Sequence, residues 1–124
     1  MTEHLGCPLN NNNLINELLI ASKLIVRFSK GDINFSDFLG KYDNFIYRIG
    51  IYELSEKDKS IMNNYIDLLN IHIFLQENIL NNIYTSVNVV NNFSDNGFIS
   101  EKEAQIKIIE LFNLNKNLFS KYNI

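Results

Sequence analysis

The sequence predicts an all-α protein whose helices pack as an antiparallel four-helix bundle. Its single proline, Pro8, lies near the start, so that nothing from Asn10 onward forbids a helix. Apolar residues recur at spacings of three and four over most of the chain. Glycines and capping signals divide this pattern into four segments with short links, as in a bundle. We expect an irregular arm over residues 1–13 and a single helical domain over residues 14–124.

The composition indicates a globular protein and disfavours a membrane protein or a nucleic-acid-binding protein. Hydrophobic residues make up 46% of the 124 residues and charged residues 20%, which suits one globular core. The single cysteine, Cys7, excludes an internal disulfide and suits a reducing compartment, so we expect a cytoplasmic protein. No apolar run approaches the roughly 18 residues of a membrane span, and no signal peptide is visible. The formal net charge of −3 disfavours direct binding to nucleic acid.

The first two helices are predicted to form a hairpin. The first runs from about Leu14 to Lys30, and Gly31 is a natural residue to end it. The second begins after Asn34, whose side chain caps it, and ends at Gly50. The link between them is short, which predicts antiparallel neighbours. The second helix has an apolar stripe, which consists of Phe35, Phe38, Tyr42, Phe45 and Ile49.

The third helix is predicted to start after a cap made by Ser55 and Asp58. If it continued to Asn92 it would be about 55 Å long, more than a compact domain of this size holds. We therefore expect a kink or break near Asn81-Asn82 or Thr85-Ser86, or a helix that overhangs the bundle. Its apolar face consists of Ile61, Tyr65, Leu68, His72, Leu75, Ile79, Ile83 and Val90.

A β-hairpin is the alternative for the stretch from Ser86 to Phe93, which is rich in valine. After a turn at Asp95-Asn96-Gly97, Ser100 and Glu103 have the spacing of a full capping box. They predict the start of the last helix. Its apolar positions are Ala104, Ile108, Leu111, Phe112 and Phe119.

No motif for catalysis, a cofactor or a metal stands out, so we expect a binding protein and not an enzyme. His4 and Cys7 have the spacing H-x-x-C, but a zinc site needs about four ligands and His72 is the only other histidine. His72 lies in the middle of an apolar stripe, which is typical of a core histidine with a satisfied hydrogen bond. No nucleophile or paired carboxylate accompanies it.

The third helix has a second, polar stripe opposite the apolar one. It steps by three and four through Asn63, Asp67, Asn70, Phe74, Glu77 and Asn81. No Lys or Arg occurs between Lys59 and Lys102, so this surface is acidic. An exposed aromatic ring among carboxylates and amides is typical of the centre of a protein interface. The alternatives are a solvated face, or a helix or the N-terminal arm that covers Phe74.

A second acidic patch is predicted in the segment from Asp32 to Asp58. Asp43 and Glu53 are its carboxylates that helix capping does not explain. A small acidic body with spare aromatic side chains suits a basic protein partner, such as a nuclease that attracts phosphate. The candidate partner-binding residues are therefore Asp67, Phe74, Glu77, Asp43 and Glu53.

Two stretches of the sequence have the features of a known protein family. The first is Leu24-Ile25-Val26-Arg27-Phe28-Ser29-Lys30-Gly31-Asp32-Ile33 followed by Phe35-Ser36-Asp37-Phe38, with Tyr42 as the later aromatic residue. The second is Ile99-Ser100-Glu101-Lys102-Glu103, together with 83–93 before it. The first resembles the opening of the colicin D-like immunity family, the second is similar to the opening of that family's last helix, and 83–93 is similar to the helix before it. A tryptophan frequent in the family's second helix is absent here.

The resemblance implies a four-helix bundle that blocks a nuclease toxin, often one that cuts transfer RNA, from bacteriocin or contact-dependent growth inhibition systems. We expect an immunity protein whose partner is a cognate toxin with a basic nuclease domain. No membrane or nucleic acid is expected as a partner, and the chain is expected to be a monomer or a weak homodimer. The alternatives are a homodimeric regulatory module, a phage-encoded enzyme inhibitor or a carrier of a hydrophobic ligand.

Overall fold

The computed structural model describes residues 11–83 and 99–124, and within these ranges the protein is all-α. The α-helices are α1 (Asn11–Ser29), α2 (Phe35–Tyr42), α3 (Phe45–Arg48), α4 (Glu56–Met62), α5 (Ile66–Asn78), α6 (Glu101–Leu114) and α7 (Lys116–Lys121). Short 3₁₀ turns lie at Ile51–Glu53, Asn63–Tyr65 and Leu80–Asn82. Ile83 and Ile99 form an isolated parallel bridge. The all-α prediction is confirmed, whereas the antiparallel four-helix arrangement stays a prediction.

Helix α1 begins earlier than the sequence predicted and ends where it predicted. It starts at Asn11, so the predicted irregular arm is wrong for residues 11–13. The first turn of a helix leaves its N–H groups without intrahelical partners, and asparagine is readily accommodated there. At the other end Gly31 adopts a φ of +84°. The Gly31 N–H donates to the Phe28 carbonyl at 3.0 Å and the Asp32 N–H to the Arg27 carbonyl at 2.8 Å, which is a Schellman motif.

The predicted second helix is divided into α2 and α3. Its cap is confirmed, because the Asn34 side chain accepts a hydrogen bond from the Asp37 N–H at 2.7 Å. Asp43 and Asn44 then adopt left-handed conformations, with φ of 49° and 46°. Helix α2 therefore ends at Tyr42 and not at Gly50, the predicted end. Aspartate and asparagine tolerate this conformation better than other non-glycine residues. The continuous helix from Asn34 to Gly50 is therefore wrong, although its apolar stripe is buried.

The predicted long third helix is also interrupted. Ser55 caps α4 through the Asp58 N–H at 3.1 Å, as expected. The 3₁₀ turn at Asn63–Tyr65, which the sequence did not predict, separates α4 from α5. After α5, the 3₁₀ turn at Leu80–Asn82 lies at one of the two predicted break points and confirms it. The other predicted break and the alternative β-hairpin lie outside the described residues, as does Val90.

The last predicted helix starts as expected and breaks once. Ser100 and Glu103 form the full capping box: the Ser100 side chain accepts from the Glu103 N–H at 3.1 Å, and the Glu103 carboxylate accepts from the Ser100 N–H at 3.2 Å. Asn115 separates α6 from α7, and its side-chain amide donates to the Leu111 carbonyl at 2.8 Å. This side-chain bond to the backbone competes with the helical pattern at that point.

Helix α1 lies at the centre of the described structure, where it contacts α2, α4, α5 and α6. It is buried on more than one side, which a peripheral amphipathic helix would not be. Its buried residues are Leu14, Leu18, Ala21, Ser22, Leu24, Ile25, Val26 and Phe28. Aromatic rings of α2 and α3 pack next to it, and Phe38, Tyr42 and Phe45 are fully buried. The core thereby leaves one face of α5 at the surface.

None of the helices in residues 11–83 and 99–124 has the length and apolar character needed to cross a lipid bilayer.

Candidate interaction surface

The predicted polar stripe is exposed along α5 and the 3₁₀ turns on either side of it. All six of its residues are exposed, and they are Asn63, Asp67, Asn70, Phe74, Glu77 and Asn81. The side chain of Phe74 has 49% of its surface exposed, so no described helix covers it. The N-terminal arm, the other predicted cover for Phe74, lies outside the described residues. The opposite positions Leu68, His72 and Leu75 are fully buried, which fixes the orientation of α5.

On one side of this stripe, Glu77 contacts an exposed tyrosine, Tyr52, of the 3₁₀ turn between α3 and α4. The Tyr52 hydroxyl donates a hydrogen bond to the Glu77 carboxylate. That hydrogen bond, more than any other cause, raises the pKa of Tyr52 to about 12. The ring of Tyr47 lies beside that of Tyr52, with 6.5 Å between centroids. Tyr47 is 50% exposed and Tyr52 58%, so both rings present large amphipathic surfaces to a partner.

Hydrogen bonds through side-chain amides connect Tyr47 to the core. The Asn81 side-chain amide donates to the Tyr47 hydroxyl at 2.8 Å. The Gln76 amide nitrogen in turn donates to the side-chain oxygens of Asn81, at 2.9 Å, and Asn44, at 3.1 Å. Gln76 is buried, so these bonds anchor the exposed groups to the core. We call Tyr47, Tyr52, Glu77 and Asn81 the tyrosine patch.

The two carboxylates of the second predicted patch occupy different surroundings. Asp43 lies 3.6 Å from Arg48, which also forms a 2.7 Å ion pair with Glu17 of α1. The side chain of Asp43 is 66% exposed, and such exposed ion pairs are weak, so its charge remains available to a partner. Glu53 is exposed directly after Tyr52 in the chain. Glu53 thus follows Tyr52 of the tyrosine patch in the chain, whereas Asp43 is paired with Arg48.

On the other side of the stripe, Phe74 lines a groove between α5 and α6. One half of this groove is lined by Asp67, Asn70, Ile71, Phe74, Leu111, Asn115 and Leu118. The other half is lined by Phe74, Asn78, Ile79, Lys107, Glu110, Leu111 and Leu114. We call this the α5–α6 groove. Of the predicted site residues, Asp67 and Phe74 belong to the groove and Glu77 to the tyrosine patch.

His72 is a core residue, as the sequence predicted, and it has no exposed surface. Its Nε2 lies 2.7 Å from the Ser22 hydroxyl and its Nδ1 lies 2.6 Å from the Tyr42 hydroxyl. Burial lowers the pKa of His72 to about 3, so that the ring is neutral near pH 7. Because all three side chains are buried, this serine–histidine–tyrosine arrangement is closed to a substrate in the described structure.

Among the described residues, His, Cys, Asp and Glu form no group of three that could hold a metal ion. His4 and Cys7, which have the spacing H-x-x-C, lie outside the described residues.

The sequence pattern did not predict that Tyr47, Tyr52 and Leu114 are exposed. The two tyrosines lie in a short helix and a 3₁₀ turn, where no long periodic pattern separates an exposed face from a buried one. Leu114, 83% exposed at the end of α6, could have been found from its position outside the apolar stripe of Ala104, Ile108 and Phe112.

Comparison of the chain with family models, with curated proteins and with solved structures finds no match.

Proposed function

We propose that this chain is an immunity protein, which binds the basic nuclease domain of a cognate toxin and covers its active site. The observation that supports this best is the tyrosine patch, where two half-exposed tyrosine rings lie side by side and one of them donates a hydrogen bond to a carboxylate of α5, a helix without lysine or arginine. Tyrosine is among the residue types that contribute most binding energy at protein interfaces. A nuclease cleft is basic because it binds phosphate, so it fits such an acidic surface.

In this proposal the acidic groups steer the toxin and the aromatic rings anchor it. Glu77 and Asp67, with Glu53 and Asp43 farther out, attract the toxin's basic groups during the encounter. Tyr52, Tyr47 and Phe74 then fill apolar depressions of its cleft. The proposed contact residues are thus Asp67, Phe74, Glu77, Asp43 and Glu53, to which the geometry adds Tyr47 and Tyr52.

An immunity protein of this kind would be a four-helix bundle that acts in the bacterial cytoplasm. Helices α2 and α3 would act as the second member of a four-helix bundle, α4 and α5 as the third, and α6 and α7 as the last. The protein would act in the cytoplasm of the bacterium that makes the toxin, without a cofactor. The toxin would come from a bacteriocin or contact-dependent growth inhibition system and would cut transfer RNA or another nucleic acid.

Affinity capture from the native strain tests the proposal. The full-length protein serves as bait, and bound proteins are identified by mass spectrometry. The nuclease activity of each captured protein is then measured with and without added immunity protein. We expect capture of a basic nuclease domain encoded next to this chain, with its activity abolished at an equimolar ratio. Capture of a nuclease whose activity the chain leaves unchanged would overturn occlusion, and capture of this chain alone would favour the homodimeric module.

A double charge reversal tests the role of the acidic groups. Asp67→Lys combined with Glu77→Lys should leave the fold intact, because both side chains are exposed, and should slow association with the toxin about tenfold or more at low salt. The difference should shrink as ionic strength rises. Asp32→Lys is the matched control, since Asp32 is an exposed carboxylate in the α1–α2 turn. An unchanged association rate at low salt would exclude Asp67 and Glu77 from the interface.

A further inference from the structure

A cavity lies where the C-terminal ends of α1 and α6 meet α7. Its volume is about 360 Å³, at the small end of the range for sites that bind small molecules. Its apolar lining consists of Val26 of α1, Phe112 of α6, Phe119 of α7 and Ile124. None of its lining residues belongs to the tyrosine patch or to the α5–α6 groove, so it is a separate feature of the molecule.

The two charged side chains that line this cavity are both lysines. Lys30 directly follows α1 and Lys116 begins α7. The Lys116 ammonium lies 5.8 Å from the centroid of the Phe112 ring, which lines the same cavity. Among the described residues no carboxylate, that of Ile124 included, forms an ion pair with either lysine. Two cations without a counterion at the same cavity favour an anionic ligand.

The Ser29 side chain, which also lines the cavity, has an unsatisfied hydroxyl. Its oxygen is buried and has no hydrogen-bond partner in the described structure. Ser22 of the same helix shows the usual alternative, because its hydroxyl donates to the carbonyl of Leu18, four residues earlier, at 2.7 Å. A buried hydroxyl without a partner is unfavourable, and an acceptor on a bound ligand removes that penalty. The exposed Asn113 amide and Ser120 hydroxyl line the same cavity and can donate as well.

We propose that this cavity binds a small organic anion, in which one phosphate or carboxylate group is joined to an apolar group the size of one ring. The anionic oxygens accept hydrogen bonds from Ser29, Lys30 and Lys116. The apolar group packs against Phe112 and Phe119. A ligand of roughly a dozen non-hydrogen atoms fits a cavity of about 360 Å³. This inference does not depend on the toxin, because binding of the anion is measured with this chain alone.

An NMR titration of the full chain tests the site with phenyl phosphate, benzoate, inorganic phosphate and phenol. We expect the better of the two organic anions to bind with a dissociation constant of about 1 mM or below, which is ordinary for a ligand of this size. Comparison of phenyl phosphate with benzoate shows which anionic group the site prefers. Inorganic phosphate and phenol each lack one half of the ligand and should bind at least about tenfold more weakly. No saturable binding of either organic anion up to about 10 mM, or equally tight binding of phenol, would overturn the proposal.

Substitution of the lysines tests whether the anion binds in this cavity. Lys30→Gln and Lys116→Gln should each weaken binding of the better organic anion about threefold or more at low salt, because each removes one cation from the site. Lys23→Gln is the matched control, since Lys23 is an exposed lysine of α1 that does not line the cavity. Equal binding by the two cavity variants and the control would place the anion elsewhere and overturn the proposal.

Substitution of Ser29 separates ligand binding from stability. Ser29→Ala should weaken binding of the anion about threefold or more, because the ligand loses a hydrogen-bond donor. It should not lower the midpoint of thermal unfolding of the ligand-free protein, because the Ser29 hydroxyl has no partner to lose. Ser22→Ala, which removes a bonded hydroxyl from the same helix, should lower that midpoint. A Ser29→Ala variant that loses stability but binds the anion as the wild type does would contradict the role of this hydroxyl in the site.

Discussion

The buried hydrogen bonds of His72 fix which of its ring nitrogens carries the proton. The Ser22 hydroxyl donates its single hydrogen to the Leu18 carbonyl at 2.7 Å, so it must accept a hydrogen bond from Nε2–H of His72. Nδ1 is then unprotonated and accepts a hydrogen bond from the Tyr42 hydroxyl. Burial raises the pKa of Tyr42 well above its usual value, so this hydroxyl keeps its proton. The chain of donors and acceptors is complete, which makes a buried polar network stabilising.

This network predicts that stability falls in mild acid. The unfolded chain protonates His72 near its ordinary pKa of 6.5, whereas the folded state resists protonation down to a pH of about 3. The stabilisation is therefore complete above pH 6.5 and is lost as the pH falls towards 3, by about 1.4 kcal/mol per pH unit. His72→Gln keeps a donor and an acceptor but does not titrate.

Chemical denaturation at pH 7.5 and pH 5.0 measures this effect. Between the two values the wild-type protein should lose about 2 kcal/mol more unfolding free energy than His72→Gln does. An equal loss in the two proteins would show that His72 is protonated as readily in the folded state as in the unfolded state.

At the scale of the element, the helix ends were predictable where a single residue supplies the chemistry. Asn34, Ser55 and Ser100 each cap a helix as their spacing indicated, and Gly31 ends α1. The break at Asp43 was not predictable, because aspartate and its neighbour asparagine occupy helices as well as left-handed turns. The apolar stripe of the second helix continues across this break, since the left-handed pair changes the direction of the chain while the residues on either side stay buried.

Replacing two glycines by alanine should change the unfolding free energy in opposite directions, because their backbone conformations differ. An added Cβ would meet nothing within 4 Å at either Gly31 or Gly40, so the two sites differ in backbone conformation and not in available space. Gly40 lies inside α2, and Gly40→Ala should raise the unfolding free energy by about 0.5–1 kcal/mol. Gly31 has a φ of +84°, and Gly31→Ala should lower the unfolding free energy by about 1–2 kcal/mol. Thermal or chemical denaturation measures both; a stabilising Gly31→Ala would contradict the Schellman ending of α1.

At the scale of the whole molecule, α5 separates two surfaces. The tyrosine patch lies on one side of its exposed stripe and the α5–α6 groove on the other. The periodicity of the sequence predicted the stripe itself, but it left open whether Phe74 is exposed or covered. It could not predict the partners on either side, because Tyr52 is 25 residues from Glu77 and Leu114 comes from another helix. Such contacts depend on how the helices pack and leave no local signal.

The affinity of the captured nuclease domain for the variant Tyr47→Ala/Tyr52→Ala tests directly whether the tyrosine patch binds the toxin. If the tyrosine patch anchors the toxin, this variant should bind about thirtyfold or more weakly, as expected for the loss of residues that dominate an interface. Its inhibition of the nuclease should weaken to the same degree, while Ile20→Ala, a substitution at an exposed position of α1, should bind as the wild type does. A folded tyrosine variant with wild-type affinity would contradict the proposal that this surface binds the toxin.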